Sequence, residues 1–595
     1  MTRNSRYSTL ILPVLLLVTT LVYLNGLSNP FVIDDRIIIF DNLSRQESWT
    51  LKDFFRQSLF GARPPQDAYF RPVTLLTFAA NYYLAKEKPQ GYRATNIGLH
   101  LLVIVLTYLL FSRLADVWVA LCSALLFALH PTHVQAVSYI SSRSDLIYTI
   151  LGLLCLLSWH RSRKAEGIRK ALYRGSGLFA FFLGLFAKET MIVVPALIGI
   201  MDLTSEEPKS WREKIRENIP GYLGFVLLFF LYIHIRLASG FPLSMEGDMQ
   251  IGLKSRLLLA PKIFFLYLTI IFYPVHLSLF RSVVVPQAFE WQVITGGLLI
   301  GAMVILAYLF WSTRREVSFG ILWFLISMVP NLNLTLLNAP IMEHWLYLPS
   351  IGLSLALVAL LRILAERVSE IRGITIGIVL IAILLSVRTM TRNGEWSDHV
   401  KLFSRDVSSS PRDFLAWFWF AHALMERGML SDALRAYKTG LSINPSHLGL
   451  RIGLAEILSL TGKEEEAEEA FSAALSLQPQ SPLTLYMLGL HRLVAGKNQE
   501  AIEPLTRSLE LKPSAGAYHA VGSAKLRLGL KDEAEEAFQK AMRIHPGNER
   551  FHGDLHVHLG KLFLRQGKKR EAQQEWQLAL RFDPNSSEAK NLIGE

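Results

Sequence analysis

The stretches 430–445 (LSDALRAYKTGLSINP) and 531–546 (KDEAEEAFQKAMRIHP) carry the same plan, with an alanine at the fourth position and a proline at the last. The plan recurs through the final third of the chain. Gly428, Gly462, Gly496, Gly529 and Gly567 lie 34, 34, 33 and 38 residues apart, and Ala433, Ala467, Ala501, Ala534 and Ala572 keep the same intervals. So do Pro445, Pro479, Pro513, Pro546 and Pro584. Glycine suits a tight turn between two helices, alanine lets the helices approach closely, and proline cannot continue the second helix.

A period of about 34 with these three markers is that of tetratricopeptide repeats, helix pairs that stack into a superhelix. The concave face of such an array usually holds an extended polypeptide, so a partner protein is the expected occupant. A passive spacer is the alternative.

Upstream of the array the composition changes. The chain of 595 residues has 51% hydrophobic and 18% charged residues, too apolar on average for an ordinary soluble protein. The excess lies between Leu10 and Met390, in successive apolar runs about 18 to 25 residues long, each expected to cross a bilayer as helix. A first span is expected over 10–27. Others are expected near 97–111, 117–137, 146–159, 176–187, 191–201, 222–237, 293–311, 319–334, 345–364 and 374–387. The division is 1–392 for the membrane domain and 393–595 for about five repeats. Arg3 and Arg6 before the first run resemble a signal peptide in outline. The run is long for a signal core and no small-x-small cleavage site follows, so an uncleaved span with a cytoplasmic N-terminus is expected.

The net charge of +12 is spread over short connectors rather than gathered beside aromatics, which argues against nucleic acid as a partner. Cys122 and Cys155 both lie in apolar runs, without disulfide or metal-ligand spacing. Basic residues crowd 161–174, 209–216, 313–315 and 362–372, and the positive-inside rule places these connectors in the cytoplasm. The connectors 25–93, 138–143 and 337–344, and everything after Arg392, then lie outside. This alternation leaves 257–280 beginning and ending on one face. A hairpin or interfacial segment broken at Pro261 and Pro274 is the preferred solution; one long span over 176–201 is the other.

Ionisable groups gather on the external side. Asp34 and Asp35 stand just beyond the first span, and adjacent carboxylates at a membrane face repel, so one needs a cation, a metal or a proton. Arg36 is a simple partner, and a solvated loop pair is the plain alternative. Arg71, His130, His133, Arg143, Asp145, Lys188, Glu189, Glu343, His344 and Tyr347 fall in or beside spans on the same side. Such groups are costly near hydrocarbon and face a cavity or one another. Any one of them could be an interhelical tie. Together they offer what glycosyl transfer from a lipid phosphate needs, a carboxylate to take a hydroxyl proton and cations to hold the departing phosphate. Phosphate loop, nucleophile elbow and zinc-helix motifs are absent from the sequence.

FVIDDR (31–36), YFRPVTLLTFAANYYL (69–84), GYRATNIGLHLL (91–102), ALHPTHVQAVSYISSRSDLI (128–147), LFAKET (185–190), WFLISMVPNLNL (323–334) and EHWLYLPSIGLSL (343–355), followed directly by repeats, resemble the transmembrane and tetratricopeptide-repeat O-mannosyltransferases. These belong to the C-type glycosyltransferase superfamily. The resemblance covers nearly the whole chain and implies an all-α fold, a polytopic membrane bundle of about 11 to 13 spans followed by an α-solenoid. It implies a polyprenyl-phosphate sugar donor, commonly of mannose, and Ser or Thr of a protein as acceptor, held by the repeats on the outer face. Asp34 or Asp35 would correspond to the superfamily's acidic residue of the first external loop. No metal and no other cofactor is assigned. One departure is His344, where the family element E-R-x-L-Y-L-P-S has arginine, which puts the donor-phosphate contact there in question. The region 238–280 is short beside animal relatives, and with compact loops and few cysteines it looks bacterial, which would make the outside the periplasm and the donor undecaprenyl-linked.

The expected activity is therefore an inverting membrane glycosyltransferase acting on protein hydroxyls. A non-catalytic membrane scaffold for the repeats is the alternative from another class. A transporter of lipid-linked saccharide would need broken helices meeting at mid-membrane, whereas the polar groups here favour one face.

Overall fold

The computed structural model describes residues 3–43, 49–61, 68–205, 209–243, 252–288, 290–334, 337, 339–544, 549–565 and 567–594. The side chains of Arg3 and Arg6 and parts of the expected external connectors lie outside the described residues. Every regular element among those described is helical, and the chain forms two compact units, Met1–Ser409 and Ser410–Glu595.

In the first unit seven helices among the described residues are long and apolar enough to cross a bilayer: Pro89–Phe111, Ile140–Arg163, Trp211–Ala238, Leu253–Phe272, Trp291–Leu309, Glu343–Arg367 and Ile371–Glu395. The pair Val117–Ala128 and Pro131–Ser138 passes the same test only when taken together, bent by 53° at the break between them. Their surface has the character a lipid solvent allows. On Ile371–Glu395, Ile376, Val379, Leu380, Ile383, Leu384 and Val387 are all exposed, a continuous apolar face that water would penalise. The runs expected over 191–201 and 319–334 fall on Val194–Leu203 and Arg315–Met328, helices of 10 and 14 residues, shorter than a full crossing.

Two expectations for the disputed regions change. Pro261 does not break a hairpin; it lies inside the continuous helix Leu253–Phe272, and only Pro274 follows a helix end. The helix packs tightly at its proline. Gly296 of the neighbouring helix sits so close to the Pro261 carbonyl that an added Cβ would lie 1.9 Å from its oxygen. Small residues permit this backbone approach, which drives helix association in lipid. The alternative of one span over 176–201 is also absent, because Gly167–Ala187 ends at Lys188, whose backbone is extended (φ −160°, ψ 134°), before Val194–Leu203 begins.

In the second unit the markers read from sequence have their expected conformations. The five turn glycines all lie at positive φ, between 73° and 92°. The five recurring alanines are all buried. Helix pairs run 414–443, 448–477, 482–511, 515–544 and 549–582, the second helix of each ending two residues before its proline, and Ser587–Gly594 closes the array. Gly489, Gly522 and Gly560 pack against Leu505, Phe538 and Trp576, where a Cβ would have no room.

Candidate active site

After the first helix the chain turns at Ile33, which takes φ 41°, and Asp34–Arg36 form one helical turn that runs into a π-helical stretch, Ile37–Asn42. A β-branched residue at positive φ is strained and persists only where its surroundings hold it. Here Phe31, Ile38, Ile39 and Leu43 pack with Phe78, Tyr92 and Ile140 in one core.

That packing fixes the acidic pair. Asp35 is fully buried; its Oδ1 accepts the Ser141 N–H at 2.8 Å and its Oδ2 the Val32 N–H at 3.1 Å. Burial pushes its carboxyl up to about 7, against the pull of Arg93 and the two amides. Arg93 is itself held by the carbonyls of Asn29, Pro30 and Ser138. Asp34 is half-buried and accepts a hydrogen bond from the Tyr139 hydroxyl; burial raises its carboxyl above the usual range as well. Asp35 is thus committed to the backbone, whereas Asp34 is only partly buried and has one side-chain partner, Tyr139. Arg36, at the end of the turn, is exposed.

The segment 139–145 joins this pair to the other charged groups. Tyr139 and Ser141 hold the two aspartates, and a turn later Ser144 Oγ accepts from Arg71 Nη1 at 3.3 Å while Asp145 takes Lys188 Nζ at 2.7 and 2.9 Å. Arg71 immediately precedes Pro72–Ala85 and forms a two-pronged pair with Glu189, Nη2 to Oε1 at 2.8 Å and Nε to Oε2 at 3.4 Å. Lys188 and Asp145 are buried, whereas the Glu189 side chain is 50% exposed. His344 completes the set, Nε2 lying 4.0 Å from Asp145 Oδ2. Two cations and two carboxylates leave the cluster neutral as it stands.

Other residues read as candidates serve elsewhere. Arg143 spends its guanidinium on Asn96 Oδ1 (2.7 Å) and the Thr77 and Tyr92 carbonyls, stacked over Phe78, and ties three helices. His130 bonds Thr132 and the Ile271 carbonyl, His133 bonds Ser350, and Tyr347 bonds His100 at 2.6 Å. These are contacts between elements rather than free groups.

Glu343 turns away from His344 toward a network that sequence reading did not find. Its Oε1 accepts the Ser278 N–H at 2.5 Å, and its Oε2 lies 3.7 Å from Arg392 Nη2. Arg392 bonds Glu395 at 2.7 Å, Arg388 bonds Glu395 at 3.2 Å, and Asp406 accepts the Leu279 N–H at 3.0 Å. Burial pushes Asp406 up to about 7. The network pins the loop after Pro274. The only hint in sequence is an arginine and a glutamate three apart at the end of an apolar run.

In the repeat unit a cavity of about 590 Å³ is lined by Arg527, Lys568, Arg570, Glu571, Glu575 and Arg581, among others. Buried beside it, His552, His519, His556 and Glu575 form a chain of hydrogen bonds, each 2.8 Å long. The Glu575 carboxylate accepts from His556 Nδ1, and His519 bridges His556 Nε2 and His552 Nδ1.

Residues 424–489 and 526–595 match a family model described as tetratricopeptide repeat, and residues 486–549 match a second of the same description. Protein O-mannosyl-transferase TMTC4 of Mus musculus is 25% identical over 452 residues, 66% of this chain and 61% of that protein. Protein O-mannosyl-transferase F38B6.6 of Caenorhabditis elegans is 25% identical over 420 residues, 67% of this chain and 57% of that protein. Protein O-mannosyl-transferase TMTC3 of Homo sapiens is 34% identical over 149 residues, 24% of this chain and 16% of that protein. The chain therefore matches less than two thirds of the length of these relatives. Among solved structures, YrrB, titled a TPR protein with an unusual peptide-binding site, is 21% identical and covers 33% of this chain and all of that one, with a TM-score of 0.23. The thermophilic TPR protein TTC0263 of Thermus thermophilus is 23% identical, covering 31% of this chain and 96% of that one, TM-score 0.25.

Proposed function

We propose that this chain, homologous over about two thirds of its length to proteins named TMTC protein O-mannosyl-transferases, is itself a membrane glycosyltransferase that moves a sugar, mannose in the first instance, from a polyprenyl phosphate to a Ser or Thr hydroxyl. The observation that carries the reading is the segment 139–145, whose side chains and amides contact both the acidic pair and the Arg71–Glu189 and Lys188–Asp145 pairs.

In this reading the acceptor oxygen attacks the anomeric carbon as the bond from that carbon to the phosphate oxygen breaks. The acceptor proton passes to Asp34, whose carboxyl is made more basic than usual by burial. Polyprenyl phosphate leaves with the bonding electrons. Arg71 and Lys188 offset the charge that collects on it. Because the cluster is neutral at rest, the donor phosphate must displace a carboxylate, and the half-exposed Glu189 is the one able to swing away. Asp145 stays to hold Lys188. The base lies on the extracytoplasmic face, with the N-terminus cytoplasmic, and the repeats hold the acceptor polypeptide on the same outer side. No metal is invoked.

A scaffold without catalysis is favoured by the many polar groups already satisfied within the protein, Arg143 and Tyr347 among them. The two readings part on one experiment, transfer of radiolabelled mannose from polyprenyl-phosphate mannose to a Ser/Thr-rich peptide by purified protein in liposomes. The enzyme reading requires turnover that Arg71→Ala abolishes.

A further inference from the structure

Gln135 is fully buried beside the charged cluster, and it is half satisfied. Its Oε1 accepts the backbone N–H of His344 at 3.0 Å, while Nε2 has no hydrogen-bond partner. The carboxamide cannot flip to improve matters, because that would point its NH₂ at another N–H. The NH₂ is therefore fixed facing away from the His344 amide. His344 has an unpartnered ring atom of its own, Nδ1, and its Nε2 is 4.0 Å from Asp145. A buried donor left without a partner is unfavourable, and native proteins fill such positions with ordered water or with ligand.

The two groups are neutral hydrogen-bonders, placed next to cations suited to a phosphate. A carboxamide donor and an imidazole nitrogen match sugar hydroxyls, which both give and take hydrogen bonds. We propose that Gln135 Nε2 and His344 Nδ1 form the subsite that recognises hydroxyls of the donor sugar, and so set which sugar is accepted. The assignment rests on the polyprenyl-phosphate reading above.

The test is a titration of the purified full-length chain in nanodiscs with two probes, polyprenyl phosphate and polyprenyl-phosphate mannose, read as binding affinity without turnover. The wild type is expected to prefer the mannosylated lipid by about tenfold or more, as polar sites do for the hydroxyls they bond. Gln135→Leu should bring the two lipids within about threefold of each other while leaving bare polyprenyl phosphate unchanged. Gln135→Glu is nearly isosteric and keeps the acceptor for the His344 amide, but replaces the donor with an oxygen; it should lose the preference too, and it decides the matter if the leucine variant fails to fold. A preference that persists in Gln135→Glu overturns the subsite. Equal binding of both lipids by wild type overturns it while leaving the phosphate site standing. Binding of neither lipid removes the donor reading and this subsite with it.

Discussion

Lys188 Nζ lies 2.7 Å from Asp145 Oδ1, and both side chains are buried. Removing one partner of such a pair leaves an uncompensated charge, whereas removing both need not be costly. Lys188→Met is accordingly expected to lower stability by about 3 kcal/mol, and the double variant with Asp145→Leu to recover most of the loss. Thermal unfolding of the detergent-solubilised protein measures both. Equal destabilisation by single and double variants would contradict the pairing.

Glu189 competes with the donor phosphate for Arg71 if the charged cluster works as argued. Glu189→Gln should then lower KM for the lipid donor several-fold with kcat largely kept. A collapse of kcat would instead make Glu189 part of the chemistry.

Glu456 in the repeat unit gives a pH dependence of definite sign. Burial pushes its carboxyl up to about 7, with Arg565 pulling weakly the other way. A folded-state value above the unfolded one means the folded protein binds the proton more tightly, so this contribution to stability is full at low pH and is lost as pH rises from about 4.5 through 7. Glu456→Gln should raise the unfolding temperature of the repeat unit at pH 8 and leave it nearly unchanged at pH 4.5. The reverse ordering would refute the assignment.

Gly320 and Gly352 set another close helix crossing in the membrane unit, since a Cβ on Gly320 would lie 2.6 Å from the Gly352 carbonyl oxygen. Gly320→Val must push the two helices apart, and overpacking of this kind typically destabilises by about 1–3 kcal/mol. Gly297, with open space around it, should accept the same change with little effect on unfolding.

The repeat fold was legible because each marker answers to a local requirement: positive φ at Gly496, no room for a larger side chain at Ala501, no further helix at Pro513. The charged residues of the candidate site were legible because Asp145 and Lys188 are anomalous in apolar surroundings. Their pairing was not, since Arg71 and Glu189 are 118 residues apart and Glu343 and Ser278 are 65 apart. Gln135 and Tyr139 gave no signal, being ordinary polar residues whose meaning lies in their neighbours. Pro261 misled because the helix continues through it, against a neighbouring helix whose close approach at Gly296 no local pattern reveals. The break at Lys188 carries neither glycine nor proline.

The two aspartates differ in what their oxygens already do, and mannosyl transfer by each variant separates a base from a structural carboxylate. The measurement is mannosyl transfer to a Ser/Thr-rich peptide by Asp34→Asn and Asp35→Asn, each compared with wild type in liposomes. Asp34→Asn should lose about 10² to 10⁴-fold in kcat, the range for removal of a general base, with unfolding unchanged. Asp35→Asn retains an acceptor for the Ser141 amide and should keep more activity than its neighbour. Wild-type turnover in Asp34→Asn would contradict the assignment of the base and, with it, the chemistry argued for this site.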